Sequence, residues 1–96
     1  MTDKQKEIEA AVLQRFLKHL DEHKEVQNIE LMNLADFCRN CLSKWYMAEC
    51  NDRGVDMDYD KAREFVYGEP YNDWKDKYQK KATPGQLAEF EKKNGK

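Results

Sequence analysis

Serine occurs once in this 96-residue chain, at Ser43, and the four glycines are widely separated. Little is therefore left for a serine hydrolase, and nothing for a glycine-rich phosphate loop. No apolar run exceeds four residues, whereas a membrane-spanning helix needs about 18. Residues 1–9 are charged throughout and lack the apolar stretch of a signal peptide. Valine and isoleucine are few, there are two prolines, and no stretch alternates polar and apolar residues with period two. Sheet structure is excluded on that pattern. Positive charge is not in excess either. Seventeen Lys and Arg against nineteen Asp and Glu leave a net charge of −2, which disfavours a dedicated nucleic-acid or anionic-membrane binder. Three cysteines, an odd number without an export signal, point to reduced thiols and a cytoplasmic location.

What is present is helical periodicity and eleven aromatic residues, too many for a disordered chain. The expected fold is all-α: a compact, irregular array of about five helices around a long central one, forming a single domain over residues 1–96 with fraying at about 1–4 and 94–96. A first helix over about 5–21 carries Ile8, Val12, Phe16 and Leu20 on one row, widened by Leu13 and Leu17. A second, central helix is expected to start after Asn28 and run to about Cys50. Its stripe is Leu31, Leu34, Cys38, Cys41, Leu42 and Trp45, with Asn33, Asp36, Asn40, Ser43 and Lys44 opposite. Leu34, Cys38, Cys41 and Trp45 are therefore expected to be buried. A third, short helix is capped by Asp58 and ended by Gly68. A fourth begins at Pro70, and a fifth opens on the capping box Thr83-Pro84-Gly85-Gln86. Residues 47–73 carry eight acids and three bases, and residues 75–96 seven bases and three acids. That asymmetry suits docking of one segment on the other, or association between copies.

Two long stretches carry a resemblance. Val26-Gln27-Asn28-Ile29, Leu31-Met32-Asn33-Leu34, Phe37-Cys38-Arg39-Asn40-Cys41-Leu42 and Trp45-Tyr46 form the first. The second is Ala62-Arg63-Glu64-x-Val66-Tyr67-Gly68-x-Pro70-Tyr71-x-x-Trp74. Together they resemble the short, mainly bacterial domain-of-unknown-function family numbered 1244, over about residues 10–90. The resemblance implies a small helical protein and supplies no catalytic residue.

Cys38-x-x-Cys41 is the most suggestive motif, because a three-residue spacing puts both sulfurs on one helix face. A redox pair of the thioredoxin kind would need the helix N-terminus to lower a thiol pKa. The expected position, about nine residues inside the central helix, is against it. A zinc site would add His19 and His23, which lie at about 20° and 60° from Ile8 on the apolar stripe of the first helix. His19, His23, Cys38 and Cys41 would then make a two-nitrogen, two-sulfur set. A cysteine nucleophile with His19 as base is chemically sensible but has no identifiable oxyanion hole. The reading that composition favours is that the cysteines pack as small hydrophobes. Asp56, Asp58 and Asp60 mimic a calcium loop, but Lys61 and Tyr67 stand where Gly and Glu are required. Tyr67, Tyr71, Trp74 and Tyr78 share a helix face among lysines. They are the candidate interaction residues, either as core or as a protein interface; base stacking on single-stranded nucleic acid is the less favoured use. No cofactor, catalytic residue or small-molecule substrate is indicated. The function expected is a non-catalytic interaction or structural module with a protein partner or itself, and the alternative is a zinc- or thiol-dependent protein.

Overall fold

The computed structural model describes residues 2–94, and among them six helices and no strand. In chain order these are α1 (Asp3–Asp21), α2 (Asn28–Ala35), α3 (Arg39–Asp52), α4 (Tyr59–Tyr67), α5 (Tyr71–Tyr78) and α6 (Pro84–Asn94). The all-α expectation holds, and several boundaries follow the local chemistry read from the sequence. Asp58 caps α4 by accepting the Lys61 N–H at 2.7 Å. Gly68 ends α4 at φ 79°, where a side chain would be strained. Thr83 and Gln86 exchange capping hydrogen bonds at the start of α6. The first residues, expected to fray, are instead a capped turn: Thr2 and Gln5 form a capping box. Met1 and residues 95–96 of the expected fraying lie outside the described residues.

The expected long central helix is two helices. The chain leaves α2 at Asp36, whose φ of 58° is left-handed. Aspartate is one of the few non-glycine residues that visits this region at modest cost. Phe37 and Cys38 are non-helical, and Cys38 becomes the N-cap of α3. A periodicity carried through that break has the wrong phase on the far side. The face of α3 that turns inward therefore carries Arg39 and Ser43, 2% and 0% exposed. Leu34 and Trp45, expected inside, are 83% and 56% exposed. Ser43, expected on the polar face, is satisfied by donating to the Arg39 carbonyl at 2.9 Å.

The core centres on Leu17, Val66, Tyr67 and Trp74, with Leu42, Phe65, Tyr71 and Tyr78 packed around them. α3 packs chiefly on α4, and α4 on α5, while α2 packs on α6. Lys93 of α6 ties that last pair. Its ammonium donates to the Met32 and Asn33 carbonyls at 3.2 and 2.8 Å and pairs with Asp36 at 2.9 Å. A cation is thus placed on the negative end of α2. The acidic and basic segments are joined by Lys77 and Glu69. α1 is attached only at its C-terminal half: Leu17 and Leu20 are buried, and residues 2–15 are exposed.

Candidate functional site

Three places follow from this arrangement: a buried polar ring, the cysteine pair beside it, and an apolar face on the opposite side of α3.

The polar ring is built on Arg39, the first residue of α3. The connection over residues 22–27 leaves backbone carbonyls pointing inward, and the guanidinium meets them. Nη1 donates to the Val26 carbonyl at 2.8 Å and to Asn28 Oδ1 at 3.1 Å, and Nη2 donates to the His23 carbonyl at 3.1 Å. The guanidinium carbon lies 5.0 Å from the Trp74 ring centroid, so cation–π attraction adds to the hydrogen bonds. Burial pulls the Arg39 pKa down, with Tyr67 and Cys38 opposing that shift. Asn28 Nδ2 donates to the Tyr67 hydroxyl at 3.0 Å, and that hydroxyl donates to Asn40 Oδ1 at 2.7 Å. Burial drives the Tyr67 pKa well above the usual phenol value. The ring holds together the 22–28 connection, the start of α3 and the end of α4.

The candidate aromatic residues fall in the same region. Tyr67 and Trp74 are buried, and Tyr71 and Tyr78 are half-buried. Their ring faces are taken by the chain's own cations. Arg63 sits 4.2 Å from the Tyr71 centroid, and Lys24 and Lys77 lie 5.4 and 5.6 Å from that of Tyr78. Of the lysines interleaved with these aromatics Lys77 lies over the Tyr78 ring, and Tyr67 and Trp74 are closed off from solvent.

Cys38 is buried and Cys41 half-buried, their sulfurs 3.9 Å apart. The motif lies at the N-terminus of α3, not inside a helix, which reverses the positional objection to thiol chemistry. Burial raises the Cys38 pKa, while the free backbone N–H groups of Cys41 and Asn40 pull it down by less. The histidines do not join the pair. His19 and His23 are exposed, 4.6 Å apart ring to ring, and His23 Nδ1 contacts Glu25 at 3.3 Å. Among the described residues no group of three or more His, Cys, Asp or Glu side chains is placed to hold a metal ion. Both histidines are displaced because α1 turns only its last two leucines to the core.

The apolar face was missed by sequence reasoning, which assigned its residues to the interior. A groove of about 280 Å³ runs between α1, α3 and α4, lined by Leu13, Leu17, Leu42, Trp45, Phe65 and Val66 among others. Tyr46 and Phe65 stack at 4.1 Å to form its floor. Its one charged liner, Glu49, is engaged by Arg53. α1 also leaves Val12 and Ile8 60% and 56% exposed, outside the lining of the groove. The periodicity of α1 was the available signal. It gives a stripe too long for the partner surface within one small domain.

Fold and surface together define a small all-helical protein with a hydrogen-bonded buried arginine, a dithiol at a helix start and an apolar groove. No helix among the described residues is long and apolar enough to cross a membrane. The chain belongs to the DUF1244 family, described as protein of unknown function, whose profile matches residues 26–92. α1, which carries half of the apolar face, precedes the matched region. No curated protein matches the chain.

Proposed function

We propose that the protein is a non-catalytic interaction module that pairs with a second copy of itself through the α1–α3–α4 face. The observation that carries this is the surplus of surface. The chain exposes 7167 Å², whereas a compact monomer of its mass exposes about 5,800 Å². A standard interface buries about 800 Å² on each partner, well within that surplus. The radius of gyration, 15.1 Å, likewise exceeds the roughly 12.5 Å of a compact chain of this length.

The exposed first half of α1 contributes to this excess. Residues 3–15 form about 20 Å of helix in which every residue is exposed, with Leu13 at the groove. Isolated helices of this length are marginal in water, so the segment gains most from a partner that covers Ile8 and Val12. A second copy offers both complements at once. Each α1 stripe enters the other copy's groove, and the arrangement closes as a two-fold dimer. Trp45 at the groove edge is the kind of anchor that dominates such contacts.

Sedimentation equilibrium over a range of concentrations tests this. The wild type should reach twice the 11.5 kDa chain mass. Val12→Glu should remain a folded monomer, with dimerisation weakened about a hundredfold by burial of an unpaired charge. A wild type that stays at one-chain mass at hundreds of micromolar, or a variant that dimerises equally well, would overturn the proposal.

A further inference from the structure

The geometry at the start of α3 points to a thiol–disulfide exchange site: Cys41 is the residue that attacks a small disulfide and Cys38 the residue that resolves it, closing a Cys38–Cys41 bond. This stands apart from self-association, since it uses neither α1 nor the apolar groove.

Three observations carry it. First, Cys38 is the N-cap and Cys41 the third residue of α3. These two positions face each other in a capping box, where the N-cap side chain folds back over the first turn and the third side chain reaches toward it. Here both are thiols. The sulfurs at 3.9 Å come within bonding distance by side-chain rotation alone, and Cys41 faces the pliable thioether of Met32, also at 3.9 Å. Second, the two sulfurs differ in access. Cys41 is half-buried while Cys38 is 7% exposed, so an incoming disulfide reaches Cys41 and only the internal thiol reaches the adduct. Third, the start of α3 partly offsets the rise that burial imposes on the Cys38 thiol pKa. The free N–H groups of Asn40 and Cys41 face it, and the Arg39 guanidinium interacts with it through space.

The chemistry balances with a low-molecular-weight disulfide, RSSR, as oxidant. The Cys41 thiol gives its proton to solvent, its thiolate forms a bond to one sulfur of RSSR, and the S–S bond of RSSR breaks to release RS⁻, which takes up a proton. The Cys38 thiol then gives up its proton, its thiolate forms a bond to the Cys41 sulfur, the S–S bond of the mixed disulfide breaks, and the departing RS⁻ takes up a proton as the second RSH. The protein loses two electrons and two protons, and RSSR becomes two thiols. Cys50 lies toward the far end of α3 with no cysteine partner and is left out.

Oxidised glutathione is the probe. The reduced full-length protein is equilibrated with it, free thiols are alkylated, and peptides are read by mass spectrometry. The expected product is a Cys38–Cys41 disulfide, reversed by reduced glutathione. Cys38→Ser should hold glutathione on Cys41 at a level at least tenfold above wild type, and Cys41→Ser should leave Cys38 unmodified. The far-ultraviolet circular dichroism of both variants confirms their fold. The wild type decides the matter by itself if either variant unfolds. Cys38 and Cys41 remaining alkylatable after equilibration, or a wild type that accumulates glutathione on Cys41 without closing the bond, would overturn the inference.

Discussion

The two tryptophans occupy opposite situations. Trp74 is 1% exposed, flanked by Tyr67 and Tyr78 rings at 4.9 and 5.7 Å and covered by the Arg39 guanidinium. Trp45 stands 56% exposed at the rim of an apolar groove. In the first region each ring has a neighbour, and both guanidinium Nη atoms of Arg39 and the Tyr67 hydroxyl are hydrogen-bonded. In the second, apolar side chains from three helices converge and nothing covers them. The difference separates what makes this chain fold from what it presents. Stability is concentrated in a small aromatic and guanidinium core, and the apolar groove is the surface that the proposed self-association would cover.

Truncation separates the two regions most sharply. Trp74→Ala should cost about 3–5 kcal/mol, as large core truncations do. That is much of the stability of a domain this size. Trp45→Ala, measured in dilute solution where the chain is monomeric, should cost under about 1 kcal/mol. Urea unfolding of the two variants checks the contrast, and equal losses would erase it. Next in size is Arg39→Met, which leaves the Val26 carbonyl without its donor, while the His23 carbonyl and Asn28 Oδ1 keep the backbone N–H groups of Val26 and Arg39. A loss of about 2 kcal/mol is expected from one buried acceptor left unmet, visible as a lower urea midpoint. Arg39→Lys should recover only part of it, because one ammonium cannot reproduce the guanidinium fork.

The break at Asp36 shows which parts of this structure the sequence could disclose. Asp58, Gly68 and the Thr83-Pro84-Gly85-Gln86 box are local signals whose hydrogen bonds close within four residues. They stand where they were expected. The end of α2 has no such mark. Its left-handed residue is an aspartate, its capping cation is Lys93 from α6, and the next helix starts on a cysteine. Those are tertiary choices, invisible in a window of sequence. Once the break is missed, the phase of everything after it is wrong. Trp45 is placed inside, Ser43 outside, and Cys38 deep in a helix instead of at its start. The histidines failed for a related reason. The apolar stripe of α1 is real, but only its last turns meet the core, so lying on the stripe did not mean lying in the interior.

Smaller effects sharpen the same contrast. Trp45→Ala should weaken self-association about 30-fold, the scale of an interface anchor worth about 2 kcal/mol. Light scattering across a dilution series would report it, and an unchanged dissociation constant would move the interface elsewhere. Tyr67→Phe should cost about 1 kcal/mol at neutral pH through its lost hydrogen bonds. The buried phenol of the wild type has a pKa raised above its ordinary value of 10.0. Its contribution is therefore complete below pH 10 and lost as pH rises from there toward the folded-state pKa, because the unfolded chain releases that proton first. The wild type should lose stability above pH 10 more steeply than Tyr67→Phe, and parallel alkaline profiles would remove Tyr67 as the cause.

Hydrogen exchange of the α1 amides as a function of protein concentration tests the central claim most directly. Residues 3–15 are all exposed in a single copy, so in a monomer they should open readily and exchange fast. If a second copy covers Ile8 and Val12, their protection should rise with concentration toward that of the α4 and α5 core, and Val12→Glu should abolish the rise. Fast exchange over residues 3–15 at every concentration, with the core fully protected throughout, would contradict a paired α1.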